Sequence, residues 1–176
     1  MPTGKPNILV QANIGFGLDQ TWSAYKYGFS DSNGGYWLGF ENIYRMTNSG
    51  KTWKVCIDVK DETGALGSSS YNQYVQDSES DGYTYLMTGP TGSYINDLFG
   101  STSRKYKFTT KDVNNQPCCC ANQAISCKGG WWYSCTPSPT SGTIILNGVG
   151  KSGFSWSTPL SPPIKYTYSY IRMIEA

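Results

Sequence analysis

Histidine is absent from the 176 residues. Its absence removes the commonest general base, every His-dependent catalytic triad and the Cys2His2 zinc pattern. Charge is sparse: 14 Lys and Arg stand against 12 Asp and Glu, a net charge of +2. No basic field exists of the kind that draws nucleic acid or acidic membranes, so nucleic acid is not an expected partner. No apolar run reaches the roughly 18 residues of a membrane-spanning helix, so no membrane insertion is expected. The opening MPTGKPNILVQANIGFG has neither a basic segment leading into an apolar run nor a small-residue cleavage site. It does not read as a signal peptide, and the sequence is expected to be a fragment or a mature form.

What is present is turn-forming, aromatic and sulfur-rich. The length suits one domain able to bury its own core. With 20 glycines and 14 tyrosines, the chain fits a secreted recognition domain better than a cytosolic enzyme. Five of the six cysteines fall between Cys118 and Cys135, in PCCCANQAISCKGGWWYSC. Outside the cell such cysteines pair, and the adjacent triplet is too tight for three thiolates to reach one tetrahedral zinc. Cys56 lies apart, either a buried thiol or a tether to the cysteine-rich stretch.

Hydrophobic periodicity gives the coarse structure. TWSAYKYGF and YWLGFENIYRMTNSG read as short helices, the second carrying Leu38, Ile43 and Met46 at helical spacing and closing on Gly50. TWKVCIDVK alternates, with Trp53, Val55, Ile57 and Val59 on one face of a strand. YNQYV and YTYLMTG read as further strands joined by the polar turn QDSESDG. After Asp97 turn residues dominate until KYTYSYIRM resumes the alternation of a sheet strand.

The ordered set WSAYKYGF, YWLGFENIYRMTNSG, SESDGYTY, KFTTKD, GGWWYSC and YSYIRMIE resembles the fibrinogen-related domain of fibrinogen chains, ficolins, tachylectins and invertebrate fibrinogen-related lectins. The resemblance runs from about Asn7 and implies an α+β fold with a mixed, mostly antiparallel sheet, short helices and a loop-rich calcium and ligand lobe. Over a single domain, 1–176, it implies a central sheet subdomain at about 7–97, a binding lobe at about 98–165 and a strand returning to the sheet at 166–176. The small N-terminal subdomain usual in the family has no counterpart here.

That family holds calcium in a D-x-D loop followed by two carbonyl donors and a disulfide cysteine. In DVNNQPCCC the register gives Asp112 and Asn114 as side-chain ligands, Gln116 and Cys118 as carbonyl donors, and Cys120 bridged to Cys135. On composition alone DVNNQP is a polar turn; with the register, Ca2+ is the expected cofactor, weakened where an amide replaces a carboxylate. Cys127 would then pair with Cys118 or Cys119. Lectins of the family form an acetyl-binding pocket beside the calcium loop, and Cys119, Cys120, Trp132, Tyr133 and Ile144 are the matching positions. Ile144 falls where the family places a tyrosine, and Ala121 where some acetyl-binding lectins carry histidine. By default, the WWY run is core.

The resemblance implies a secreted, extracellular module of lectin type, binding glycans or acetylated small molecules in innate recognition or adhesion. The alternative is a protein-binding or structural adhesion module that grips an extracellular protein or another copy of itself. An enzyme is not expected: its best case, a nucleophilic cysteine among 118–120 beside Lys111 or Lys128, lacks a histidine and sits among disulfides.

Overall fold

The computed structural model describes residues 4–92, 106–116, 121–133, 145–149, 155–158 and 161–176. Strand β1 spans Asn7–Asn13, helix α1 Trp22–Tyr27, β2 Phe29–Ser30, β3 Tyr36–Trp37 and α2 Phe40–Thr47. Then come β4 (Trp53–Asp61), β5 (Leu66–Gln76), β6 (Tyr85–Gly92), α3 (Gln123–Cys127), β7 (Ser155–Thr158) and β8 (Ser161–Glu175). The sheet runs β2-β3-β1-β8-β4-β5-β6, with β7 also pairing β8, and every pairing among the described residues is antiparallel.

The alternation read in β4 holds along its length: Trp53, Val55, Ile57 and Val59 are all buried, while Lys54, Cys56, Asp58 and Lys60 face the other way. The closing run forms β8, which starts at Ser161, earlier than the alternation indicated. It lies between β1 and β4, so the last strand completes the middle of the sheet.

The second helix is shorter than its pattern. Tyr36–Trp37 pairs with β1 as strand, and the helix begins only at Phe40. Gly39 causes the break: its φ is +99°, and a Cβ there would stand 2.6 Å from the Tyr27 carbonyl carbon. Leu38 is therefore outside the helix, while Phe40 and Ile43 of α2 are buried.

Aromatic rings join the sheet to the loop-rich half. Phe108 meets Tyr25 at 4.8 Å, Phe40 at 4.6 Å and Trp132 at 4.9 Å, all edge-to-face, the favoured geometry for aromatic quadrupoles. Tyr25, Tyr74 and Tyr133 are buried with them, and burial pushes each phenol well above the ordinary tyrosine range. A raised folded-state pKa contributes stability that is whole below the unfolded value, about 10, and declines as pH rises above it. Alkaline unfolding is expected to begin there, with phenolate absorbance rising together with loss of near-UV circular dichroism. Phenolate absorbance that saturates while the near-UV signal stays native would contradict this.

Candidate ligand-binding lobe

The loop carrying the expected cation ligands is closed by its own side chains. Thr109 and Trp131 exchange backbone hydrogen bonds at 2.9 and 3.1 Å, anchoring the loop to the WWY run. Asn115 Nδ2 donates to the Phe108 carbonyl, and Asn122 both donates to the Thr110 carbonyl and accepts from Ala124 N–H at the start of α3. Gln116, almost wholly buried, accepts from Gln123 N–H.

Asp112 serves as a strut. Its Oδ1 accepts from the Thr110 hydroxyl at 2.7 Å and from Trp22 N–H at 2.9 Å, tying the loop to the first turn of α1. Asn114 Oδ1 accepts from Gln116 N–H. Both side chains are exposed, and among the described residues neither Asp112 Oδ2 nor the second lone pair of Asn114 Oδ1 is engaged. Among the described residues no group of three or more His, Cys, Asp or Glu is placed to hold a metal. A cation here would rest on one carboxylate, one amide and carbonyls, an oxygen set that suits calcium. Asp112→Ala is expected to cost about 1–3 kcal/mol by leaving its donors unpaired. The loss measured in chelator is the strut's own share, and an unchanged urea midpoint there would rule the strut out.

The run Gly129-Gly130-Trp131-Trp132-Tyr133 is packed from both sides. A Cβ on Gly129 would stand 2.0 Å from the Asn147 carbonyl oxygen, and one on Gly130 2.7 Å from the Tyr25 ring. Close approach is what these glycines serve. Trp132 is 7% exposed and Tyr133 0%. Trp132 Nε1 donates to the Tyr83 carbonyl at 2.7 Å, and the Tyr133 hydroxyl donates to the Gly129 carbonyl. Trp132 and Tyr133, two of the five residues expected at a ligand pocket, are core side chains in this structure. Cys118, Cys119, Cys120, Cys135 and Ile144 lie outside the described residues, and with them the expected bridges and pocket floor.

The remaining cysteines are not activated. Cys127 is buried, and burial pushes its thiol up against the opposing effect of hydrogen bonds with Tyr133 and Ser126. Cys56 is a free, partly buried thiol and not a tether; burial also raises it, with Arg172 pulling the other way.

Sequence reasoning missed the polar group that fixes the lobe to the sheet. Gln11 Nε2 donates to Leu146 O, Asn147 Oδ1 and Ser169 Oγ at 3.1, 3.0 and 2.9 Å. Asn13 Nδ2 donates to Leu146 O and Gly148 O, and Asn147 Nδ2 to Gly130 O. Gln11, Asn13, Asn147 and Ser169 are at most 1% exposed. The neighbouring turn Ile14–Gly17 also packs on the lobe, since a Cβ on Gly17 would meet Lys128 O at 2.6 Å. It displays Phe16 at 64% exposure, and α3 displays Ile125 at 53%.

This arrangement, a β8-centred antiparallel sheet with a loop lobe on WWY, matches a known family. The model for the C-terminal globular domain of fibrinogen beta and gamma chains matches residues 8–173. The chain belongs to the fibrinogen C-terminal domain family. It is 34% identical over 127 residues to rat angiopoietin-2, covering 71% of this chain and 25% of that protein. Human angiopoietin-1 is 33% identical over 143 residues, covering 77% and 27%. The chain thus spans about a quarter of the length of these curated relatives. The fibrinogen-like globe domain of human ANGPTL2 superposes with a TM-score of 0.74 at 24% identity, over 96% of this chain and 80% of that one. Lamprey fibrin D-dimer, complexed with the peptide Gly-His-Arg-Pro-amide, gives 0.77 at 18% identity, over 99% and 63%. Fibrinogen C-terminal domains of this kind are binding modules, not enzymes.

Proposed function

We propose that this fibrinogen C-terminal domain is an extracellular recognition module whose target is a protein, engaged by the lobe. The observation that carries the reading is the pair of exposed apolar side chains, Phe16 and Ile125, on elements built onto the lobe. Large apolar groups held by rigid neighbours are the usual anchors of a protein interface. The glycan or acetyl reading places Trp132 and Tyr133 at the pocket together with Cys119, Cys120 and Ile144, and the rings of those first two are packed inside. The peptide held by lamprey fibrin D-dimer and the likeness to the angiopoietins lend support. An extracellular setting accords with the clustered cysteines.

Calcium belongs to this proposal as an ordering ion. Asp112 and Asn114 would supply side-chain oxygens, and Gln116 and Cys118 carbonyls, and the ion would lower the entropic cost of presenting the loop. Its signature is a melting temperature higher in calcium than in chelator, a difference that Asp112→Ala abolishes.

The binding test is selection of displayed peptides against the folded domain, with affinities by fluorescence anisotropy. Phe16→Ser combined with Ile125→Ser should weaken the selected peptides by about 2 kcal/mol or more, with melting unchanged. A domain that selects no peptide but binds N-acetylated sugars in a calcium-dependent way would reverse the assignment to the lectin reading.

A further inference from the structure

Among the described residues, nothing closes over the face of the sheet turned away from the helices. That face carries a grid set by strand register, because directly paired residues point to the same side. Arg172 of β8 pairs with Cys56 of β4, which pairs with Ser70 of β5, which pairs with Thr91 of β6. The next row is Tyr170, Asp58 and Ser68, and the one after it Tyr168, Lys60 and Leu66. Lys54 stands opposite Ile174 at the other end. All are partly or fully exposed, Leu66 at 67%.

Between these rows lies a polar cavity of about 240 Å³ lined by Cys56, Asp58, Ser68, Ser70, Thr91 and Arg172. Arg172 Nη2 donates to Asp58 Oδ2, and the Ser70 and Thr91 hydroxyls lie 2.7 Å apart. Beside it the Tyr168 and Tyr170 rings sit 5.1 Å apart, tilted by 46°. Among the described residues three cations, Lys54, Lys60 and Arg172, share the face with one carboxylate, Asp58. Lys54 and Lys60 take part in no ion pair among the described residues.

We propose that this open face binds a linear anionic polysaccharide, with one sugar ring in the cavity and its carboxylate or sulfate groups on the lysines. A pyranose offers hydroxyls that both donate and accept, which an adjacent guanidinium, carboxylate and hydroxyls answer, and an apolar face that lies on tyrosine. The cavity is smaller than the roughly 300–1,000 Å³ pockets of drug-sized ligands and suits a single ring. Lys54 and Lys60 are six residues apart on one strand, about 20 Å, so the charge complementarity extends along a chain rather than around a point. A protein partner is disfavoured by Asp58, Ser68 and Ser70 in the middle of the patch, residue types that interfaces are depleted of. The site is separate from the lobe and stands whether or not the lobe binds protein.

The test is calorimetric titration of the folded domain with a heparin dodecasaccharide, a hyaluronan decasaccharide and neutral dextran. At least one anionic saccharide is expected to bind saturably, and more weakly as salt is raised; dextran is not. The surface variant Lys54→Gln/Lys60→Gln should bind about tenfold more weakly with its melting temperature unchanged. Tyr170→Ala should also weaken binding but leave the salt dependence, and the lobe variant Phe16→Ser should bind like wild type. The proposal fails if neither anionic saccharide binds, if dextran binds as well, or if the double lysine variant binds within about twofold of wild type. It fails too if a single-stranded DNA oligonucleotide binds as tightly as the better saccharide, since charge and stacking alone would then explain the face.

Discussion

Gly129→Ala is expected to unfold the lobe, or the whole domain, under conditions where wild type is native. The added Cβ would lie 2.0 Å from the Asn147 carbonyl oxygen, 2.4 Å from its carbonyl carbon and 2.8 Å from Gly148 N. All three are backbone atoms, so no side chain can rotate aside. The backbone itself is pinned, because Asn147 O accepts from Leu18 N–H at 2.7 Å and Asn147 Nδ2 holds Gly130 O at 3.0 Å. Relief therefore means parting 129–133 from 146–149, which breaks the stitch to β1. Overpacking with side-chain relief costs about 1–3 kcal/mol and occasionally more; without that relief the upper end or beyond is expected here. Gly50→Ala provides the contrast: its φ is +82° but nothing lies within 4 Å of its Cβ. It should lose only the roughly 1–2 kcal/mol of a left-handed non-glycine residue. Urea titrations of the two variants decide the matter, and equal midpoints would show that close approach at Gly129 is not what the glycine serves.

The contrast also shows what a sequence can and cannot reveal. Gly129-Gly130 before WWY marks a place where backbone must come close, and the aromatic run reads as core, yet nothing local names the partner strand of chain. The β4 alternation was legible because one face is buried along the whole strand, and a period of two survives any tertiary arrangement. The start of α2 was not, since Leu38 continues the helical spacing while Gly39, at φ +99° against the Tyr27–Gly28 backbone, stops the helix. That β8 lies between β1 and β4 is a fact of register between segments more than a hundred residues apart, carried by no short motif. In the lobe, Asp112 and Asn114 were singled out as ligands; the bond from Trp22 N–H that makes Asp112 a strut joins residues 90 apart. The open-face grid escaped notice for a similar reason. Lys54, Cys56, Asp58 and Lys60 read as the solvent side of a strand, and only pairing with β8 and β5 sets Arg172, Tyr170 and the serines beside them.

Asn147→Ala is expected to destabilise the joint between lobe and sheet severely while leaving every backbone angle permissible. Asn147 is wholly buried, its Oδ1 takes a bond from Gln11 Nε2, and its Nδ2 supplies one to the Gly130 carbonyl. Truncation removes both at once and leaves the Gly130 carbonyl without its side-chain donor in a dry interior, at about 1–3 kcal/mol for each bond lost. Gln11 retains Leu146 O and Ser169 Oγ as acceptors, so the loss falls mainly on the lobe side of the joint. Asn147→Asp separates polarity from shape. It keeps the acceptor facing Gln11 but sets a carboxylate oxygen against the Gly130 carbonyl, so at neutral pH it should destabilise at least as much as alanine. Burial and that facing carbonyl oppose the charged form and raise the carboxyl's folded-state pKa above its unfolded value, about 4. The stability of this variant should therefore improve as pH falls toward that value, where the protonated acid can donate to Gly130 O. Urea midpoints of wild type, Asn147→Ala and Asn147→Asp at neutral and mildly acid pH measure the effect. An aspartate variant whose deficit relative to wild type does not shrink on acidification would show that the bond to Gly130 is not what makes the amide necessary.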